Sequence, residues 1–437
     1  MSESTEQSEI RPPFWKRWYL LFIFLAVLAA GLGVAGHRVH QAIYESQPQI
    51  AGFGWRPDGK AYATSQMDGS LLITVPNGAL PATVKMLRRP DGGRWDTSDE
   101  KYFRLKWSPD GKYLTGYNGS LLSVWDVAAG KELNHKLPIK TGHTFNYEWD
   151  ADSRNIWFVT APRVNGPGPY NIKKFDVEKG DLAQDLNVPH LLVDPGSVST
   201  PIWSKDHSRI AIRLPKTEKP ASLAIVDTQN GVQLHKWELK HAYAQLEWSP
   251  DGLMLAMVRK LKSAAAFATI DIKDAATGDI KHALEIPYSL IPLSLSASAY
   301  PGRCDLAWSE DGKRLGCAIA IYNGTYRNTE ECLLTWWNAE DGKLLASKLV
   351  QIKGTAYKLE YFSGTPYQFP LYKSWMEYVY WSPDLQSIGI SIMHTSWLAV
   401  MGSGKGYPTS SYGDYGSVII EKAPPEAGIS SSGAAKP

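Results

Sequence analysis

Few of the residues in this chain that could do chemistry are spaced as the chemistry needs. Gly402-Ser403-Gly404-Lys405-Gly406 has the glycines and the lysine of a phosphate-cradling loop. The pattern G-x-x-x-x-G-K-[ST] requires Gly at 399 and Ser or Thr at 406, where this chain has Ala399 and Gly406. No G-x-S-x-G elbow, H-E-x-x-H pair or C-x-x-C-H segment occurs. The ten histidines are scattered; His37 and His40 flank an apolar run and His207 falls in a loop. Nothing here assembles a nucleophile, a metal set or a cofactor site, so neither catalysis nor a cofactor is expected.

The three cysteines lie close together, at Cys304, Cys317 and Cys332. If Trp308 pairs with Lys313 across a hairpin, Cys304 opposes Cys317, and outside the cytoplasm the two could oxidise. A slip of one residue would put them on opposite faces, leaving Cys as a small apolar filler. Both readings stand at this level.

The elements that would position any site begin with an anchor. Trp18 to Gly36 is 19 residues without a charge, and as a helix it would rise about 28 Å, near a bilayer's hydrocarbon thickness. Trp15, Trp18 and Tyr19 stand at its leading edge, where amphipathic rings favour the headgroups. Arg11, Lys16 and Arg17 precede it, and only Arg38 follows within fifteen residues. That bias places the N-terminus in the cytoplasm and the rest outside. A cleaved signal peptide ending near Val34-Ala35-Gly36 competes with this reading, but the run is longer than such peptides need.

After the anchor a unit recurs seven times. Trp55, Trp107, Trp149, Trp203, Trp248, Trp308 and Trp381 each precede turn chemistry such as SPDGK, then a short apolar stretch. In Ser249-Pro250-Asp251-Gly252 the serine accepts backbone hydrogen bonds, proline presets φ, and glycine takes the left-handed position. A second mark follows: Asp126, Asp176, Asp227, Asp274 and Asn338 each have Gly four residues on. Thr74 with Gly78 and Val400 with Gly404 keep the spacing in the first and last repeats. On this register the 402–406 glycines form the turn between the third and fourth strands of the last repeat.

Residues 103 to 143, FRLKWSPDGKYLTGYNGSLLSVWDVAAGKELNHKLPIKTGH, resemble a complete WD repeat, with Trp125-Asp126 ending a strand and Gly142-His143 before the next unit. The resemblance covers about residues 50 to 421 and implies an all-β, seven-bladed β-propeller with four antiparallel strands per blade around a channel. Within that range Gly-His occurs once and Trp-Asp decays to Phe175-Asp176, Val226-Asp227 and Trp337-Asn338, so the family's buried Asp–His–Ser/Thr–Trp network cannot be complete in most blades. The resulting order is a cytoplasmic tail (1–17), a transmembrane helix (18–36), a linker (37–49), the propeller (50–421) and a tail of disorder-type composition (422–437).

Extra length concentrates at Ala161–Tyr170, Leu290–Pro301, Gly354–Trp375 and Gly402–Gly416. The 354–375 stretch carries Tyr361, Phe362, Tyr367, Phe369 and Tyr372, which are either a partner-binding surface or the small core of a loop folded onto the blades. Net charge is only +2, and no basic block points to nucleic acid. The expected role is a non-catalytic interaction scaffold of the inner membrane, with its propeller in the periplasm and other proteins as partners. An enzyme or small-ligand binder using the central channel is the alternative.

Overall fold

In a computed structural model, the structure describes residues 50–66, 70–75, 82–88, 104–117, 121–133, 137–138, 143–162, 168–193, 201–214, 222–259, 266–291, 299–323, 328–352, 372–396 and 415–425. The apolar run at 18–36 lies outside them. Among the described residues no helix is long and apolar enough to cross a membrane, and the one helical turn is the 3-10 segment Tyr288–Leu290.

Strands run antiparallel in chain order, four to a sheet. Blade 1 is Ile50–Trp55, Tyr62–Gln66, Ser70–Val75 and Ala82–Arg88. Blade 2 is Arg104–Trp107, Tyr113–Tyr117 and Leu121–Asp126, with its outer strand broken into Lys131–Glu132 and Leu137–Pro138. Blade 3 is His143–Trp149, Asn155–Pro162, Gly168–Asp176 and Asp181–Val193. Blade 4 is Ile202–Trp203, Arg209–Arg213, Ser222–Asp227 and Gln233–Glu238. Blade 5 is Tyr243–Trp248, Met254–Arg259, Ala268–Asp274 and Ile280–Ile286. Blade 6 is Ala299–Trp308, Arg314–Asn323, Asn328–Asn338 and Leu344–Gln351. Blade 7 shows three strands among the described residues: Tyr372–Trp381, Ser387–Ser396 and Tyr415–Lys422.

The turn chemistry is local and forms as its residues dictate. In blade 5, Gly252 N donates to Ser249 O, Met254 N donates to Ser249 Oγ at 2.9 Å, and Ser249 Oγ donates to Asp251 at 2.6 Å. Gly252 has φ 68°, the left-handed region that this fourth position requires. Ser153, His207 and Leu385 hold the equivalent position at φ 57–61° with side chains in place of Gly. The second mark lands in register too. Tyr113 faces Asp126, Asn155 faces Asp176, Arg209 faces Asp227, Met254 faces Asp274 and Arg314 faces Asn338.

Each blade buries both faces of its sheet, because alternate residues serve opposite seams. Leu255 and Met257 pack with blade 4, whereas Ala256 and Val258 pack with blade 6. That is why the strands read as unbroken apolar runs such as LAMV rather than alternating with polar residues. Seven such seams exist, one between each pair of consecutive blades, so the ring is closed. The closing seam joins Phe53, Trp55 and Tyr62 of blade 1 to Tyr380 and Ile420 of blade 7. There Phe53 lies over Gly389, where a Cβ would come within 2.8 Å of the ring.

The tryptophans clasp the seams. Each ends an inner strand, and in five of the seven the indole N–H reaches the carbonyl just before the corresponding Trp of the preceding blade. Trp107 donates to Gly54 O (3.0 Å), Trp149 to Lys106 O (3.3 Å), Trp248 to Ile202 O (2.9 Å) and Trp308 to Glu247 O (3.4 Å). Trp55 donates to Tyr380 O (2.8 Å), completing the circle. Trp203 Nε1 and Trp381 Nε1 are buried and find no partner among the described residues.

Three expectations need correction. Tyr415–Lys422 pairs with Ser387–Ser396, with Lys422 facing Ser387, so it is the third strand of blade 7. Val400–Gly404 therefore lies between the second and third strands, outside the described residues, and is not the third-to-fourth turn. Equal spacing from Trp381 misleads there because the extra length was inserted ahead of the third strand. Ala423 N donates to Gln386 O as Ala275 N does to Leu253 O, which makes Lys422 the counterpart of Asp274 and sets the propeller's limit past 421. Cys304 opposes Ile319, and Cys317 opposes Leu306, because Trp308 pairs with Leu315 rather than Lys313. None of the three is joined in a disulfide; Cys317 lies in the seam to blade 5 and Cys332 in the seam to blade 7. Trp107 and Trp248 are well buried, and Trp308 is partly buried.

Trp248→Phe keeps a ring but loses the bond to the Ile202 carbonyl, whereas Trp203→Phe removes an N–H that has no partner among the described residues. Urea titrations should show the first costing about 1–2 kcal/mol more than the second. Trp248→Ala should cost about 3–5 kcal/mol.

Candidate functional site

Because strands alternate in direction, first-to-second and third-to-fourth connections emerge at one end of the sheets, and all others at the opposite end. At the first end every described connection is four to six residues long. At the other end they reach 15 residues (89–103), 12 (287–298), 18 (397–414) and 20 (352–371). All four insertions noted in the sequence join strand ends on this one face. Tyr361, Phe362, Tyr367 and Phe369 lie outside the described residues. Tyr372 opens the inner strand of blade 7 opposite Ser396, and its side chain too is outside them.

The inner strands also bring charges together that no linear motif announced. The residue preceding the clasping Trp is Lys106 in blade 2, Glu148 in blade 3 and Glu247 in blade 5. Lys106 Nζ donates to Tyr147 O at 2.9 Å and pairs with the Glu148 carboxylate. Glu247 is half-buried, and burial disfavours its charged form. Burial first, then the Asp305 and Glu148 carboxylates, raise its pKa to about 8, against the pull of Lys106. Blades 2, 3, 5 and 6 thus influence one proton from around the ring, which places these groups at its centre. At neutral pH Glu247 is mainly a neutral acid and can donate a hydrogen bond. Among the described residues no group of three His, Cys, Asp or Glu is placed to hold a metal ion.

A second polar cluster sits in blade 5 near the long-connection face. Asp271, fully buried, accepts from Tyr243 Oη at 2.8 Å and Arg259 Nε at 3.0 Å. Burial and the carboxylate together push the Tyr243 hydroxyl well above its usual range. All of its polar atoms named here are satisfied, so the cluster is a brace rather than a reaction centre. The turn end is held by similar means: the Ser309 hydroxyl and the Lys313 amide keep Asp311 below the usual carboxylate range. His143, the one Gly-His histidine of the propeller range, starts a strand opposite Pro162 and has its side chain outside the described residues.

The sheet order and the seven seams define a seven-bladed β-propeller. No family model and no curated protein matches the chain. Among solved structures it is similar to the β-propeller domain of Myceliophteria thermophila Cps50 (Swd1), at 14% identity and a TM-score of 0.48, over 80% of this chain and 94% of that one. Sheet order and register, rather than this likeness, establish the propeller.

Glu247 sets a pH dependence. Its folded pKa is raised, so the stabilising proton is fully held below the unfolded value and lost as pH rises through about 8. Glu247→Gln should therefore raise the melting temperature more at pH 8.5 than at pH 5 in paired thermal scans.

Proposed function

We propose that this chain is a membrane-anchored, non-catalytic binding module that works through the propeller face bearing its long connections. The observation that carries the reading is the segregation of length: one end of the sheets has turns of four to six residues, and the other has connections of up to 20. Repeat scaffolds place insertions on the face that binds. The partners are other proteins, membrane-associated or periplasmic. Tyr361, Phe362, Tyr367, Phe369 and Tyr372 supply the aromatic anchors that such contacts use. The uncharged run at 18–36 and the Lys/Arg excess before it support an inner-membrane anchor with the propeller in the periplasm.

Deleting Gly364–Leu371 should leave the melting temperature nearly unchanged while abolishing co-purification of partners from detergent-solubilised membranes. Unfolding of the propeller by this deletion would instead make the segment structural. Alkaline phosphatase fused after Pro437 should be active, since it matures only in an oxidising compartment; activity confined to a cytoplasmic reporter would reverse the topology. A mature N-terminus near His37 would show a signal peptide in place of an anchor.

The convergence of Lys106, Glu148, Glu247 and Asp305 favours a second reading, a small polar ligand held in the channel. A turnover or ligand affinity lost in Glu247→Gln but kept in the Gly364–Leu371 deletion would select it.

A further inference from the structure

The seam between blades 3 and 4 is built differently from its neighbours. At the position where the next blade's Trp248 clasps Ile202 O, Trp203 Nε1 is buried with no hydrogen bond among the described residues. The fourth turn position, glycine in blades 1, 2, 5 and 6, is His207, with φ 57°. Its imidazole is 5% exposed and inserts among aromatic rings: Trp157 at 6.4 Å and nearly parallel, and Trp203 at 6.0 Å. Neither Nδ1 nor Nε2 finds a hydrogen-bond partner among the described residues. A buried imidazole with two idle nitrogens costs free energy, and a left-handed backbone at a side-chain-bearing residue adds to that cost.

We propose that His207 makes the blade 3–blade 4 seam an acid-labile joint of the ring, closed while the imidazole is neutral and loosened when it takes a proton. The charged groups around it come from every neighbouring element. Glu148 lies on the inner strand of blade 3, and Asp150 on the turn after it. Asp206 lies on the histidine's own turn, and Lys106 on the inner strand of blade 2. Lys174 sits over the Trp157 ring at 4.9 Å. Arg209, at the start of the next strand, points away to Gly252 O. Asp150 is already engaged, bound by Lys174 at 3.0 Å and by the Trp157 indole at 3.2 Å, and Glu148 by Lys106. Burial is the largest influence and depresses the histidine's pKa below its ordinary value; the carboxylates of Glu148, Asp150 and Asp206 oppose it and Lys106 assists it.

The sign follows from linkage. The unfolded chain takes up a proton near pH 6.5 while the folded seam still refuses it. Stability at this joint is therefore full above about pH 6.5 and falls, by up to tenfold in the opening equilibrium per pH unit, until the folded histidine titrates.

The test is hydrogen exchange by mass spectrometry on the full chain between pH 7.5 and 5, corrected for the intrinsic pH dependence of exchange. Peptides spanning 149–157 and 203–209 should lose protection on acidification, and the matching blade 5 turn at 248–254 should not. In His207→Gly, whose residue suits this backbone, the acid-dependent loss should disappear. Titration of His207 in the unaltered protein by nitrogen-15 NMR should give a value below 6.5. A value of 6.5 or higher would overturn the proposal, and so would equal acid sensitivity in the variant.

Discussion

Every blade of this ring must bury both faces of its sheet against a neighbour, and at five of the seven seams the indole N–H of the tryptophan ending an inner strand holds the adjoining sheets in register. The ring nitrogen spans the gap to a carbonyl one residue before the matching tryptophan of the preceding blade, from Trp107 to Gly54 and round to Trp55 on Tyr380. The bond aligns neighbouring inner strands at one level. Packing then follows, because alternate residues of each strand meet the seam on either side. Even the charges at the centre depend on this alignment, since Lys106, Glu148 and Glu247 all sit directly before a clasping tryptophan.

What was legible in the sequence was whatever is decided within a few residues. The turn after each Trp is closed by its own Ser, Asp and Gly, so Ser249 to Gly252 could be read without knowing anything else of the fold. The Asp126-to-Gly130 spacing is equally local, and Gly130 N bonds to Asp126 O at 2.9 Å. Blade count followed from repetition. The expected anchor rests on the apolar length, edge aromatics and Lys/Arg bias around 18–36, a part of the chain outside the described residues.

What was not legible depends on pairing between distant residues. The cysteine register missed by two because the hairpin at Ser309–Arg314 is closed one residue further along each strand than spacing suggested. Blade 7 was misaligned because a fixed distance from Trp381 cannot say whether extra residues precede or follow the third strand. The charged centre escaped notice for a similar reason: Glu247 and Glu148 are about a hundred positions apart, and only ring closure makes them neighbours. His207 looked like an ordinary loop residue, since no local signal says that a turn position will be roofed by two indoles.

Closure also has a consequence for the order in which the chain acquires its shape. The clasp from Trp107 to Gly54 spans 53 residues, but that from Trp55 to Tyr380 spans 325. Chain-closure entropy alone makes the longer contact costlier by about 1.6 kcal/mol. Meandering blades stack through short-range contacts, so an arc of adjacent blades can grow from either end before its ends meet. The last seam to form is then the one lined by Phe53, Tyr62 and Tyr380. Until it forms, an unfinished arc leaves that aromatic surface open to other unfinished chains.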